Sequence, residues 1–145
     1  MKRSSAKKTP TKPRSPARKQ GESKYNYVEL QRASLASAED LHFYGVITDA
    51  TFPYKVHADR FICSLKVVDP TCKKNHCQVV IYAKRFEDLP IIHRVGDIIR
   101  VHRAELRMYN NMRQFNVNLG NIHQCFASWA LYSTDRQTPL GEGAQ

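Results

Sequence analysis

Residues 78–109, QVVIYAKRFEDLPIIHRVGDIIRVHRAELRMY, are the stretch whose reading decides the fold. Gln78–Lys84 is a short run rich in β-branched and aromatic residues and reads as a strand. Phe86–Arg94 reads as a short helical turn, kept short by Pro90, which has no N–H to donate into a continuing helix. Gly96-Asp97 supplies a turn, and Ile98–Tyr109 then alternates as a long strand. Downstream, Asn110-Asn111-Met112 makes a hairpin loop, because asparagine tolerates positive φ, and Gln114–Leu119 returns antiparallel. Upstream, Phe61–Val68 sets a uniformly apolar face (Phe61, Cys63, Leu65, Val67) against a mixed one (Ile62, Ser64, Lys66, Val68). Asp69-Pro70 ends that strand. His42–Ala50 is another strand, with Gly45 marking a bulge or a barrel bend. Residues 25–41 hold no clean period and read as a lead-in with a short helix, Ser34 and Ser37 serving as turn or cap residues. A last apolar run, Phe126–Tyr132, closes the domain, and residues 133–145 are expected to fray.

Five main strands with one short helix between the third and fourth is the element order of an oligonucleotide/oligosaccharide-binding (OB) barrel. An SH3-like barrel or a small sandwich has similar strands but does not usually place a helix there. The expectation is an all-β fold: a five-stranded Greek-key barrel over residues 25–135, a disordered basic tail over 1–24, and a flexible end over 136–145.

The chain has 145 residues and a formal net charge of +10, which points to a polyanionic partner. No run of about 18 apolar residues exists to span a membrane as a helix. The charge is unevenly placed. Residues 1–24 hold nine basic residues against the single acid Glu22, so +8 of the +10 sits in the tail. That segment has no Val, Ile, Leu, Phe, Trp or Tyr, and carries Pro10, Pro13 and Pro16, so it has nothing to bury. It is no secretory signal, and its prolines exclude an amphipathic presequence helix. It reads as a nuclear import signal and a non-specific attractor of phosphate backbones, or as a solubilising arm.

Binding a single strand takes flat π-surfaces for bases and cations for phosphates. In OB barrels the groove crosses the second and third strands between the 1–2 and 4–5 loops. The loop after the first strand, TFPYKVHAD (Thr51–Asp59), brings Phe52, Tyr54 and Lys55 together. Phe52 either meets a ligand or plugs the barrel end. Arg107, Tyr109, Arg113 and Gln114 surround the Asn110-Asn111 hairpin. Tyr109 is a stacking platform or an ordinary cross-strand tyrosine. Lys66, with Ser64 beside it on the mixed face, meets the groove or is a solvated strand lysine. Arg60 could close the same groove from the loop edge.

Five strings carry a resemblance: DATFPYK (Asp49–Lys55), CSLKVVDPT (Cys63–Thr71), YAKRFEDLPIIHRVGDIIRVHRAELRMYN (Tyr82–Asn110), RQFNVN (Arg113–Asn118) and SWALYSTD (Ser128–Asp135). Together these resemble the first barrel of the telomere end-binding α-subunit family of ciliates, and more distantly the protection-of-telomeres proteins. The resemblance covers roughly Tyr25 to Asp135. It implies a protein that binds G-rich single-stranded 3′ overhangs at telomeres, in the nucleus, without catalysis or a cofactor. It places a stacking tyrosine at Met108-Tyr109-Asn110 and a DNA-contacting lysine at Lys66. It also implies a partner subunit of β type, or self-association, and no membrane. The family's α subunits carry further barrels where this chain has one, and the Thr71–His76 loop is shorter than theirs. For guanines, Asp49, Asp69 and Gln114 are the groups to test as readers, since a groove carboxylate is useful only as an acceptor from guanine N1 or N2; otherwise Asp49 forms a turn. A partner-binding barrel, or a generic single-strand binder, is the competing expectation.

Cys72 and Cys77 with His76 between them invite a zinc reading, but the spacing is weak without a second pair, for which His123 and Cys125 are the candidates. The thiols are expected to be reduced, with Cys63 in the core. No nucleophile–base order, paired carboxylates in a cleft or glycine-rich phosphate loop stands out among the six histidines and thirteen acids.

Overall fold

A computed structural model of the chain describes residues 25–120, 127–134 and 139–144. The basic tail, His123, Cys125 and Phe126 lie outside the described residues. Among the described residues eight strands occur in the order β1 (Leu41–Ala50), β2 (Tyr54–His57), β3 (Arg60–Val68), β4 (Cys77–Ala83), β5 (Ile98–Tyr109), β6 (Met112–Asn118), β7 (Ser128–Tyr132) and β8 (Pro139–Ala144). The path β1-β3-β4-β6-β5 returns to β1 through a β1–β5 pairing and so closes a five-stranded barrel. All its pairs are antiparallel except β4–β6, which is parallel. That is the OB topology.

Closure needs two strands to come unusually close, and Gly45 permits it. A Cβ there would stand 2.9 Å from Val67 Cβ across the β1–β3 pair. The β1–β3 register shifts between Ile47 and Asp49, so the bend expected at the glycine is completed by a bulge just after it. Asn110 (φ 50°) and Asn111 (φ 63°) form the β5–β6 hairpin, as their side chains allow. The core is apolar and continuous, with Phe43 and Phe115 rings 4.6 Å apart among Ile47, Leu65, Ile81, Ile99 and Leu106.

Four departures from the sequence reading have physical causes. Within Phe86–Arg94 only Phe86–Asp88 is helical, as one 3-10 turn. Leu89, preceding Pro90, is forced to an extended ψ of 149°, so the turn cannot propagate. Tyr54–His57, read as loop, pairs with β3 as an exposed hairpin. The lead-in carries the expected short helix, a 3-10 turn at Leu35–Ser37 capped by Ser34, but it is also tied into the core, where Leu30 is fully buried. Finally, the end expected to fray carries β8, paired along β7. Gly143 makes this possible, because a Cβ there would lie 2.2 Å from Trp129 Nε1, which donates to Asp88 O.

Candidate nucleic-acid interface

Strand parity sorts each wall of the barrel into core and surface. On β3 the residues Ile62, Ser64 and Lys66 face out, on β4 Gln78, Val80 and Tyr82, and on β6 Gln114, Asn116 and Asn118. Register aligns them in rows. Tyr54, Ile62, Tyr82 and Asn118 form one row; Ser64, Val80, Asn116 and Glu105 the next; Lys66, Gln78, Gln114 and Arg107 the third. This wall is a shallow polar face, braced by Gln78 Nε2 donating to Ser64 Oγ (2.7 Å) and Gln114 Nε2 donating to Asn116 Oδ1 (2.8 Å).

Aromatics stand at its two ends. Phe52 is 65 % exposed and only tilts against Phe86 at 5.8 Å, so it does not plug the barrel. Tyr54 is 47 % and Tyr109 52 % exposed. Between them Tyr82 takes the Arg60 guanidinium over its ring at 4.6 Å. Burial raises the Tyr82 phenol pKa; Arg60 opposes that, while the Tyr109 and Tyr54 phenols add to it. Three tyrosines from β2, β4 and β5 therefore sense one another over a single surface. Thr51 anchors the first loop, its Oγ1 accepting from Ser64 N at 3.0 Å. Lys55 is exposed beside it on β2.

The cations are placed unequally. Lys66 Nζ lies 3.9 Å from Asp49 Oδ2, with both side chains largely in water. Asp49 Oδ1 also accepts from Ala50 N at 2.9 Å, at the β1–β3 register shift rather than in a turn. Arg107 reaches Glu105 at 2.5 Å on the same face. Two expected groups are not in this groove. Arg113 shares strand parity with Phe115 and Val117 and turns to the barrel's end, donating to Leu30 O (3.2 Å) and Ala33 O (2.6 Å). Asp69 is turned to the lead-in, where its carboxylate accepts from Leu30 N (2.8 Å), Thr71 N (2.9 Å) and Thr71 Oγ1. Burial pushes that carboxyl upward, but these hydrogen bonds outweigh it and hold the pKa below its ordinary value.

Sequence reasoning missed Tyr82, Gln78, Asn116 and Asn118. The alternation Gln78-Val80-Tyr82 was visible, but which face it joins depends on the parallel β4–β6 register, which no local pattern states.

A second aromatic cluster sits on the opposite, β1–β5 wall. Tyr25 stacks on His102 (centroids 3.9 Å apart, 17° between planes), and Tyr27 Oη lies 2.8 Å from His102 Nε2. His42 Nδ1 accepts from Arg103 N at 3.0 Å. Burial first, then the charges of Arg100, His42 and Arg103, hold the His102 pKa down to about 4. His42 is lowered as well, chiefly by burial. Among the described residues no group of three His, Cys, Asp or Glu is arranged to hold a metal. Burial raises Cys63 and Cys77 to about 12, so neither is a thiolate at neutral pH.

Comparison with known proteins now adds to this geometry. The family model described as "Telomeric single stranded DNA binding POT1/CDC13" matches residues 21–144. The chain is 53 % identical to the telomere-binding protein subunit alpha of Stylonychia mytilus, over 96 % of this chain and 29 % of that protein. It is 56 % identical to the subunit alpha of Sterkiella nova, over 82 % of this chain and 25 % of that protein. It thus spans under a third of the length of these relatives. A crystal structure of a Pot1–ssDNA complex superposes with a TM-score of 0.59 at 20 % identity, covering 76 % of this chain and 65 % of that one, which supports the barrel fold.

Proposed function

The chain belongs to the telomeric single-stranded DNA-binding POT1/CDC13 family, and from that membership we propose that its barrel binds single-stranded, G-rich telomeric DNA across the outer wall of β3, β4 and β6. The observation that carries this reading is the row structure of that wall. Half-exposed Tyr54 and Tyr109 flank it, Tyr82 lies between, and Lys66, Arg60 and Arg107 are its cations. Bases stack on the rings, phosphates meet the cations, and the amides of Gln78, Gln114 and Asn116 offer donors and acceptors to base edges. Thr51, Phe52, Lys55 and Ser64 complete the proposed site.

The role proposed is occupation of the telomeric strand, with no catalytic step. Its place of action is the telomere and, with it, the nucleus, for which the basic run of residues 1–24 serves as import signal and long-range attractor. The relatives are named as α subunits, and a β-type subunit or a second copy is the corresponding partner here. Residues 25–135 are the proposed binding unit.

A competition titration tests the reading. Labelled G-rich single strand bound to the full chain is challenged with G-rich single strand, poly-pyrimidine of equal length, and duplex. Displacement by the G-rich competitor at far lower concentration than by the other two is expected. Equal displacement by the G-rich and poly-pyrimidine strands would reduce the protein to a generic binder.

A further inference from the structure

Beyond the third row the groove does not stop at a flat rim. It runs into a recess of about 430 Å³ between the β3–β4 loop, the Asn110-Asn111 hairpin and the lead-in. Met112 keeps the outward parity of β6 and pairs with Tyr109, and His76 directly precedes β4, so the recess adjoins the wall's last row. It is lined chiefly by Gln31, Lys74, His76, Asn110, Asn111 and Arg113. These are donors, amides and cations, with no carboxylate in the lining.

Three observations give the recess a ligand's chemistry. Among the described residues His76 Nε2 is buried without a hydrogen-bond partner, a costly state unless a polar group answers it. Lys74 is exposed on the rim, and Arg113 is a cation fixed by the carbonyls of Leu30 and Ala33. The floor is braced, since Gln31 N donates to Thr71 Oγ1 (3.1 Å) and Gln31 Nε2 donates to Asn75 O (3.4 Å). A braced, positively charged recess beside an exposed tyrosine suits one nucleotide. We propose that the recess is an additional nucleotide subsite that extends the bound strand past Tyr109, Lys74 meeting its phosphate and His76 Nε2 its base edge.

This rests on the groove reading, and the experiment separates the two. Anisotropy titrations use G-rich single strands lengthened one nucleotide at a time, from the 5′ and 3′ ends separately, against the unmodified full chain, Lys74→Ala and His76→Ala. For the unmodified chain, affinity steps up roughly tenfold when the strand first reaches the recess, as one charge-assisted contact would give. Both variants lose that step while binding shorter strands unchanged. Lys74→Ala also lowers the salt slope by about one, only on the longer strands. No change at any length, or an equal loss at every length, overturns the subsite while leaving the groove reading intact. Failure of the unmodified chain to bind any strand defeats the groove reading and the subsite with it.

Discussion

The β1–β5 wall and the β3–β4–β6 wall both carry tyrosines and arginines, and they dispose of them differently. On the first, Tyr25, Tyr27, His42 and His102 sit within stacking and hydrogen-bonding distance of one another. Adjacent strands put them there, since β1 and β5 pair directly through Phe43↔Val101 and Leu41↔Ala104. On the second, Tyr54 and Tyr109 belong to strands with β3, β4 and β6 between them, and among the described residues neither ring packs on another aromatic. The lesson is that composition does not mark a binding surface. A cluster whose members answer one another stabilises the fold, and a surface whose rings are held apart is open to bases.

The strongest attempt to break this contrast removes a ring from each side. Tyr54→Ala with Tyr109→Ala should weaken G-rich strand binding by about 2–6 kcal/mol, at about 1–3 per stacked base. That is a loss of roughly thirtyfold to twenty-five-thousandfold, with the melting temperature nearly unchanged. Tyr27→Ala should do the reverse. It strips His102 Nε2 of its partner and stabilises less by about 1–3 kcal/mol, lowering the melting temperature by several degrees with strand affinity intact. Loss of DNA binding in Tyr27→Ala would show the β1–β5 wall to be functional.

The next test uses protons. His102 titrates near 6.5 when unfolded and at about 4 in the barrel, so between those values the unfolded chain holds more protons. Stability is therefore complete above about pH 6.5 and is lost as pH falls toward 4. Melting temperatures measured across that window should drop, and His102→Gln should flatten the drop, leaving the smaller contribution of His42. An equally steep profile in His102→Gln would mean that the cluster is not what acid disrupts.

How much of this was legible beforehand follows from the range of the interactions. The strands β1, β3, β4 and β5 were readable because burial alternation and β-branching are local, and the asparagine hairpin because its backbone demand is local too. β2 was not, since all four of its residues are exposed and no apolar alternation marks it. β8 was hidden by Pro139, Gly141 and Gly143, which read as loop until Trp129 is placed over Gly143. For the proposed site, the exposure of Phe52, Tyr54, Lys66 and Tyr109 was readable from loop position and parity. The placement of Arg113 and Asp69 away from the β3–β4–β6 rows was not readable, because their partners at Leu30 lie 83 and 39 residues away in sequence.

The smallest expected effect concerns Asp49, the one carboxylate facing Lys66. Its oxygens are engaged by Ala50 N and, at 3.9 Å, by Lys66 Nζ. Because both side chains are largely solvated, that ion pair is worth at most about 1 kcal/mol. Asp49→Asn removes a negative charge from the wall proposed to meet phosphates, without altering a ring. If Asp49 only tempers Lys66, affinity should rise for every single strand alike, by about two- to fivefold at low salt, and the gain should shrink as salt screens the surface. If instead the carboxylate accepts from guanine N1 or N2, the same substitution should weaken G-rich strands while leaving poly-pyrimidine unchanged. The geometry favours the first outcome, since a base would have to compete with both existing contacts. A guanine-specific loss would move Asp49 from the answered groups to the open ones, and would place base selectivity at this edge of the wall rather than in the amides of Gln78, Gln114 and Asn116.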